Sequence, residues 1–428
     1  MKQLILITIT AIVGTFSVNA QKLNIEESTY EGITSKVIEW RRAIHQNPEL
    51  SYQEYETAEM IAAHLESLGI EVQTGVAKTG VVGILKGKKD GKVLALRADI
   101  DALPVVERNN LSFKSTKKTT YLGEEVGIMH ACGHDTHAAI LMGVAEILAK
   151  NKNKIKGTVK FIFQPAEEGA PEGEYGGART MVNEGVLQNP DVDAIVGLHI
   201  NSQTPVGVVR YKPEGTMAAA QRFVINVKGK QTHGSQPWSG VDPIYISAKI
   251  IDGLQSIVSR ELNLTQEAAV ISVGKIKSGV RFNIIPEDAE LIGTIRTLDY
   301  DMREQVRERM TKMVKTVAEA YGGQAEIDIF DTTDITYNDP ELTASLIPTL
   351  NNVLGEENVI LSKAVTGAED FSYFQSEVPG FYFFLGGMSK NSTEAYPHHT
   401  PDFFIDESGL IFGVKSMTEI TLNYLNAR

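Results

Sequence analysis

One short segment of the chain, residues 129–137, concentrates side chains that bind metals or transfer protons. Its sequence, MHACGHDTH, contains Cys132, the only cysteine among the 428 residues, and His134 two positions later. A single cysteine cannot form a disulfide within its own chain, and a free thiol outside the cytoplasm is easily oxidised. The pattern therefore predicts that the Cys132 thiolate binds a divalent metal ion.

Further candidate metal ligands come from three other segments. They are the adjacent carboxylates Glu167 and Glu168, the imidazole of His199, and the pair His398 and His399. Each one alone has an ordinary structural interpretation, because a histidine at a strand end is more often a hydrogen-bonded structural residue than a ligand. Together, thiolate, imidazole and carboxylate donors indicate a site for Zn, Mn, Co or Ni.

This donor set is larger than a single metal ion needs. A closed tetrahedral zinc site uses four ligands, and a mononuclear catalytic zinc site uses three protein ligands. Two metal ions that share one ligand and one bridging water would use five ligands, and the shared water would ionise near neutral pH. Because neighbouring residues of an extended segment point in opposite directions, we expect one of Glu167 and Glu168 to bind metal and the other to be the general base.

Three apolar runs end at these chemical groups. Residues 93–97 lead into Asp99 and Asp101, residues 159–163 lead into the two glutamates, and residues 194–198 lead into His199. Open α/β sheets bind their ligands at the carboxyl ends of parallel strands, so these runs are predicted to be central parallel strands. Helical apolar spacing over 140–148 places Cys132 and His134 on a loop before a helix, whose positive amino end favours a thiolate.

The pattern changes between residues 217 and 330. Strands are predicted at 222–228, 268–277, 289–298 and 325–330, with helices at about 243–260 and 302–321. This βαββαβ order is the ferredoxin-like unit, and it is an insertion because the α/β pattern resumes after it. The predicted fold class is thus an α/β catalytic domain, residues 21–216 and 331–428, with an inserted α+β domain at 217–330.

Residues 1–20 are typical of a secretory signal peptide. Lys2 precedes an apolar run over 4–13, and Val18-Asn19-Ala20 fits a small-residue cleavage site. The run is shorter than the roughly 20 apolar residues of a membrane span, so we expect a periplasmic or extracellular protein without a membrane anchor. The net charge of −13 and the absence of a basic cluster argue against a nucleic-acid partner.

Several long motifs resemble those of the M20 metallopeptidases. Within that family they resemble the amidohydrolase branch, which hydrolyses N-acyl amino acids, hippurate and indole-acetyl amino acids. The resemblance covers nearly the whole chain after the signal peptide. The motifs are WRRAIHQNPEL at 40–50, RADIDALP at 97–104, MHACGHDTH at 129–137, FQPAEE at 163–168, GLH at 197–199, HGSQP at 233–237, GAEDFSY at 367–373 and HTPDF at 399–403.

The resemblance implies a centre of two divalent metal ions. Cys132 is implied to bridge them, His134 and His199 to complete one site, and Glu168 and His399 to complete the other. Other M20 branches have an aspartate as the bridging ligand, so the cysteine marks the amidohydrolase branch. The implied reaction is hydrolysis of the amide bond of an N-acyl amino acid or a related conjugate, with a metal-bridging water as the nucleophile.

The resemblance also implies roles for residues that bind no metal. Glu167 is the implied general base and later the general acid, and Asp101 orients a ligand histidine. The inserted domain is implied to be a lid through which a homodimer forms, with His233 polarising the scissile carbonyl in the partner's site. Asn283 and Arg296 lie in the segment that resembles the family's binding site for a substrate carboxylate.

Three alternative functions remain open from the sequence. The first is a metal-dependent exopeptidase of the same family, either a carboxypeptidase or a dipeptidase. The second makes Cys132 a nucleophile with His134 or His137 as its base. The third is an exported protein that binds a metal or a solute without catalysis. Full activity after chelation would favour the thiol nucleophile, and no hydrolysis by the metal-loaded protein would favour the binding protein.

Overall fold

The computed structural model describes residues 24–392 and 394–427, so the predicted signal peptide lies outside the described residues. No helix within these ranges has both the length and the apolar character needed to cross a membrane. The helices are α1 (Glu27–Gln46), α2 (Tyr55–Ser67), α3 (His134–Lys150), α4 (Gly177–Asn183), α5 (Pro243–Ser256), α6 (Tyr300–Ala320), α7 (Pro340–Leu354), α8 (Ser372–Gln375) and α9 (Leu410–Asn426).

The strands form one large sheet, one smaller sheet and short two-stranded pairs. They are β1 (Glu71–Val76), β2 (Gly80–Lys86), β3 (Lys89–Asp99), β4 (Lys118–Tyr121), β5 (Glu124–Gly127), β6 (Lys156–Gln164), β7 (Ala194–Pro205), β8 (Val209–Tyr211), β9 (Glu214–Met217), β10 (Ala219–Lys228), β11 (Thr232–His233), β12 (Ala269–Ser278), β13 (Ile284–Ile285), β14 (Asp288–Thr297), β15 (Gln324–Thr333), β16 (Thr336–Asn338), β17 (Val359–Leu361) and β18 (Gly380–Met388).

The large sheet has the order β1-β2-β6-β3-β7-β18-β8-β17. Its centre is parallel, because β3 pairs in parallel with β6 and β7, and β18 pairs in parallel with β7. The three runs predicted to be central parallel strands are β3, β6 and β7, so that prediction is confirmed. Their carboxyl ends meet at one edge of the sheet, and this edge carries the predicted ligands.

Both faces of the large sheet are covered, as is expected for a parallel sheet. Along β3, Leu94 and Leu96 belong to the core beneath α1, α3 and α9, whereas Val93 and Ala95 belong to the core beneath α4 and α8. This alternation follows from the two-residue period of a strand. It explains why the central strands appear in the sequence as continuous apolar runs.

The smaller sheet has the order β12-β14-β10-β15, with every neighbouring pair antiparallel. Helices α5 and α6 cover one face, and their apolar residues share a core with β10, β12 and β14. This is the ferredoxin-like arrangement predicted for the insertion, and the predicted fold class is confirmed. Asp242 caps α5 by accepting hydrogen bonds from the amides of Ile244 and Tyr245, and Pro243 is the first helical residue.

A close backbone approach fixes the loop that carries Cys132. Gly133 has a φ of +100°, and a β-carbon at this position would meet Ile200 Cγ2 at 2.3 Å. Only glycine adopts this conformation without strain, and only glycine leaves room for the loop to pack on β7. Helix α3 begins at His134, so His134 is its first residue and does not lie on the loop as predicted.

Candidate metal centre

The five predicted metal ligands converge at the carboxyl ends of the parallel strands. Cys132 Sγ lies 3.3 Å from His199 Nε2 and 3.3 Å from His399 Nε2. His399 Nε2 lies 3.2 Å from Glu168 Oε1. Donor atoms of Cys132, His134 and His199 form one compact group, and those of Cys132, Glu168 and His399 form a second. The sulfur of Cys132 is therefore shared by both groups.

Hydrogen bonds orient two of the imidazoles toward the cluster. His134 Nδ1 donates to the backbone oxygen of Asp101 at 2.9 Å and lies 3.2 Å from the Asp101 carboxylate. His199 Nδ1 donates to the Ile200 oxygen at 2.6 Å. Because a carbonyl oxygen can only accept, Nδ1 carries a hydrogen in both rings, and Nε2 is the nitrogen that can offer a lone pair to a metal ion. Asp101 thus orients His134, as carboxylates behind metal ligands commonly do.

Two buried donor atoms of the cluster have no hydrogen-bond partner among the described residues. They are His134 Nε2 and Glu168 Oε1. Buried polar atoms are nearly always paired, so an unpaired imidazole nitrogen close to an unpaired carboxylate oxygen requires an explanation. Divalent cations bound at the cluster would pair with these atoms, and the set of sulfur, nitrogen and oxygen donors suits such cations. The residues present therefore fit a metal centre.

The electrostatics of the cluster also favour cations. Burial, together with the charges of Glu168 and Glu167, raises the pKa of the Cys132 thiol well above its usual range. Burial and the charges of Glu369 and Glu168 likewise raise the pKa of Glu167. Bound cations would reverse both effects, because they stabilise the thiolate and the carboxylate. A nucleophilic cysteine needs a lowered pKa, so this environment does not support the thiol-nucleophile alternative.

His137 and His398 are excluded as ligands or bases because both of their ring nitrogens are occupied. His137 Nδ1 lies 2.5 Å from Asp99 Oδ1, and its Nε2 accepts the amide of Ile200 at 2.8 Å. His398 Nδ1 donates to the Cys132 oxygen at 3.1 Å, and its Nε2 accepts the amide of Ser202 at 3.3 Å. Burial lowers the pKa of His398 to about 4, which keeps it neutral.

Glu167 and Glu168 both face the cluster, so the expectation that they point in opposite directions was wrong. Their carboxylate oxygens lie 3.8 Å and 4.0 Å from His134 Nε2. The expectation assumed an extended segment, but β6 ends at Gln164 and the chain turns at Ala166, which has a φ of +48°. Glu168 belongs to the donor group of Cys132, Glu168 and His399, whereas Glu167 belongs to neither of the two donor groups that contain Cys132.

A buried carboxylate that the sequence analysis missed holds this turn. Glu54 Oε1 accepts the amide hydrogen of Ala166 at 2.9 Å, and Glu54 Oε2 accepts the hydroxyl of Thr79 at 2.5 Å. Ala166 immediately precedes Glu167, so Glu54 holds the backbone in the position from which the two glutamate side chains extend. Burial and the charge of Asp101 raise the pKa of Glu54 from 4.5 to about 7.

The shifted pKa of Glu54 predicts a pH dependence of stability. Since its pKa is higher in the folded chain, folding binds a proton between pH 4.5 and about 7, and the free energy of unfolding falls as pH rises through this window. Glutamine does not titrate, so between pH 4.5 and 7 the free energy of unfolding of Glu54→Gln should fall less than that of wild type, by an amount on the order of 3 kcal/mol. Urea unfolding with excess chelator at several pH values measures it. Parallel pH profiles of wild type and variant would contradict the assignment.

A second missed element is the buried guanidinium of Arg97. It contacts Asp99 at 2.6 Å, Glu369 at 2.9 Å and Asp370 at 3.0 Å. Burial opposes ionisation of Asp99, but Arg97 and the neighbouring His134 and His137 together outweigh it and hold the pKa of Asp99 well below its usual range. Arg97 thus joins the motifs at 97–104 and 367–373 beneath the cluster. Both motifs were recognised in the sequence, but this link between them was not.

A cavity of about 750 Å³ opens over the cluster. Its wall includes Cys132, Glu167 and His199 from the large-sheet domain and Ala220 and Thr332 from the edge of the inserted sheet. This volume is typical of small-molecule sites, which often lie between domains. The arrangement brings the donor cluster, Glu167 and a substrate-sized space together.

His233, Asn283 and Arg296 do not line this cavity. His233 is exposed on β11, and the amide of Gly234 donates to the Asn283 oxygen at 2.8 Å, so His233 and Asn283 are close neighbours. Arg296 lies on β14 and lines a separate shallow groove of the inserted sheet together with Arg222. One chain alone does not bring these three residues to the cluster, and their roles stay predictions.

Comparisons with known proteins agree with the site. The family model described as Peptidase family M20/M25/M40 matches residues 95–423, a range that contains all five candidate ligands. Thermostable carboxypeptidase 2 of Saccharolobus solfataricus is 43% identical, covering 91% of this chain and 95% of its own. N-acetylcysteine deacetylase of Bacillus subtilis is 39% identical, covering 91% and 96%.

A solved structure from Bacillus subtilis, described as a dinuclear metal binding peptidase from the M20 family, is also similar. It has a TM-score of 0.79 and 36% sequence identity, and the match covers 93% of this chain and 100% of that one. Both the fold and the sequence are thus shared over nearly the whole length.

Proposed function

The chain belongs to peptidase family M20/M25/M40 and is a hydrolase of that family, and from this premise we propose that it cleaves the amide bond of N-acyl amino acids or related conjugates. The observation that carries the proposal is the shared position of the Cys132 sulfur between two groups of donor atoms. Such an arrangement suits two metal ions with one bridging ligand. Glu167 adds a carboxylate beside the cluster that neither group uses.

The proposed ligand assignment follows the two groups. His134 and His199 would hold one ion, Glu168 and His399 would hold the other, and Cys132 would contact both. When bound, the ions supply Lewis acidity toward the substrate carbonyl and lower the pKa of a coordinated water.

Glu167 is proposed to move the proton. Its carboxylate would accept a proton from the attacking water and return it to the nitrogen of the leaving amine. Burial and neighbouring carboxylates raise the pKa of Glu167, whereas bound cations would lower it. These opposing effects suit a group that must be a base in one step and an acid in the next.

We further propose a homodimer that forms through the inserted domain. His233 is exposed and does not line the cavity of its own chain, which supports a role in the partner's site, where it would polarise the scissile carbonyl. Trp238 lies near His233 in sequence, and Val280 and Phe282 lie just before Asn283, whose oxygen accepts the Gly234 amide. These three side chains are 79%, 97% and 95% exposed, so this part of the inserted domain carries apolar side chains that a partner would cover.

We also propose export to the periplasm or the medium. The support is the signal-peptide pattern of residues 1–20, with its basic residue, apolar run and small-residue cleavage site. An exported location would also make metal occupancy protective for the single thiol, because a bound thiolate is shielded from oxidants.

An exopeptidase is the second candidate function, because a relative that is 43% identical is named a carboxypeptidase. It would use the same donors and Glu167 but would accept a peptide in place of an acyl amino acid. A binding protein without catalysis is less well supported, since it gives no role to Glu167 beside the cluster.

A substrate panel distinguishes these functions. The purified chain is loaded separately with Zn, Mn, Co or Ni and is assayed for amine release from N-acetyl, benzoyl and indole-acetyl amino acids and from dipeptides. We expect cleavage of acyl amino acids by at least one metal form and none by the chelated protein. Strong preference for dipeptides would favour the exopeptidase. No cleavage of any compound would contradict the hydrolase proposal.

A further inference from the structure

Three basic side chains line the cavity over the cluster: Arg179, Arg210 and Lys363. Within the described ranges, no carboxylate lies within 4.0 Å of any of them. The guanidinium of Arg179 instead stacks on the ring of Tyr175, with its carbon 3.9 Å from the ring centroid. Arg210 and Lys363 are therefore the cavity cations left without an aromatic or carboxylate partner in the described chain.

Apart from the donor cluster and Glu167, the acidic side chains that line the cavity are already paired with cations. The pairs are Glu174 with Lys78, Asp331 with Arg307, and both Glu369 and Asp370 with Arg97. Since the whole chain has a net charge of −13, unpaired positive charge in this cavity is not a general property of the protein surface. On the wall that carries Arg210, the charge available to a ligand is positive.

Strand register places Arg210 beside the cluster. On β18, Phe384 is paired with His199 of β7 on one side and with Arg210 of β8 on the other. Directly paired residues on neighbouring strands point to the same face of the sheet, and all three line the cavity. Two strand spacings separate the α-carbons of His199 and Arg210 by about 10 Å. A long arginine side chain can therefore reach a substrate held at His199.

We propose that Arg210, assisted by Lys363, binds a carboxylate of the substrate, so that the enzyme selects anionic amide conjugates. This proposal rests on the proposed hydrolase function. The planar guanidinium suits two parallel hydrogen bonds to a carboxylate, and the Lys363 ammonium adds a second positive charge. Phe384 and Met217 also line the cavity and would contact the apolar part of the same substrate.

The assignments of Arg210 and of Arg296 as the carboxylate-binding residue predict different effects of mutation. Arg296 was predicted from the sequence to bind the substrate carboxylate, but in one chain it lines another groove. If Arg210 is the anchor, its loss removes carboxylate selectivity and the loss of Arg296 does not. Arg222 lines the same groove as Arg296, outside the cavity, so Arg222→Gln is a matched control.

The test uses three substrates that share methionine and differ in charge. N-acetylmethionine has a carboxylate only on the amino-acid half, N-succinylmethioninamide only on the acyl half, and N-acetylmethioninamide has none. Values of kcat/KM are measured for metal-loaded wild type and for Arg210→Gln, Lys363→Gln, Arg222→Gln and Arg296→Gln. Metal content and thermal unfolding of each variant confirm that the site and the fold persist.

Wild type is expected to prefer one of the two anionic substrates, and Arg210→Gln should lower kcat/KM for it by about 10- to 100-fold, the range for a lost charged hydrogen bond. Lys363→Gln should cause a smaller loss, and the neutral substrate should change by less than about 3-fold. The preferred anionic substrate identifies which carboxylate is bound. An equal loss on all three substrates, no loss, or a loss only in Arg296→Gln would overturn the proposal.

The design separates failure of this proposal from failure of the hydrolase function. The wild-type protein tests the function, because metal-loaded wild type that cleaves none of the three substrates would reject the hydrolase and the subsite together. The Arg210 variant tests the subsite alone, because wild type that cleaves an anionic substrate with unchanged selectivity in Arg210→Gln would reject only the subsite.

Discussion

Glu167→Gln is expected to lower kcat by about 10²- to 10⁴-fold, the usual contribution of a general acid–base group. Glutamine has nearly the same shape but cannot accept a proton from water or return one to the amine. Metal content should not change, because the Glu167 carboxylate belongs to neither group of donor atoms that contains Cys132. The measurements are kcat on the best acyl amino acid and the metal bound per chain.

Glu168→Gln is the matched control for this prediction, since the two glutamates are adjacent and differ in their contacts. Glu168 Oε1 is buried and lies 3.2 Å from His399 Nε2, but this contact lacks hydrogen-bond geometry, so no described residue pairs with the oxygen. Its replacement should lower both metal content and activity. If Glu167→Gln lost metal together with activity, Glu167 would be a ligand and the proposed division of roles would be wrong.

Cys132→Ala is expected to abolish activity and to leave at most one metal ion per chain. Its sulfur lies 3.3 Å from both His199 Nε2 and His399 Nε2, so its loss removes a donor from each group at once. Cys132→Asp should retain more metal than the alanine variant and part of the activity, because a carboxylate can offer one oxygen to each ion.

The comparison of the two Cys132 variants separates bridging from other roles of the thiol. Both variants lack the thiol, so a nucleophilic cysteine predicts that both are inactive and that both keep their metal. An intact two-metal centre in Cys132→Ala would refute the bridging role. Thermal unfolding in the presence of chelator checks that the alanine variant still folds.

The positions of His199 and the two glutamates were predictable because each follows an apolar run that a simple pattern identifies as a strand. Apolar runs locate the central strands, and the carboxyl ends of parallel strands must meet at one edge. His199 and the two glutamates were placed in this way, and the structure confirms that they meet. The inserted sheet was equally predictable, because its strands and helices follow each other without interruption.

Other parts of the site depend on three-dimensional features that the sequence does not reveal. The left-handed turn at Ala166, which directs both glutamates toward the cluster, is held by Glu54, more than a hundred positions earlier. Arg97 has two of its three carboxylate partners in a motif near the other end of the chain. Periodicity within one segment does not indicate such distant contacts, so both residues were missed.

The sequence also could not show which arginine lies at the cavity over the cluster. Sequence resemblance pointed to Arg296, whereas the cavity over the cluster is lined by Arg210. The short strand β8 follows β7 in the chain, but β18 lies between them in the sheet. That strand order, set by a segment near the end of the chain, brings Arg210 to the same level as His199.

The most direct test of the central claim is a metal titration of the chelated wild-type protein. Zn, Mn, Co or Ni is added in steps, and bound metal per chain and amide hydrolysis are measured on the same samples. The proposed centre predicts that binding saturates at two ions per chain and that hydrolysis appears only as metal binds. Full hydrolysis by the metal-free protein, or saturation without any hydrolysis, would contradict it.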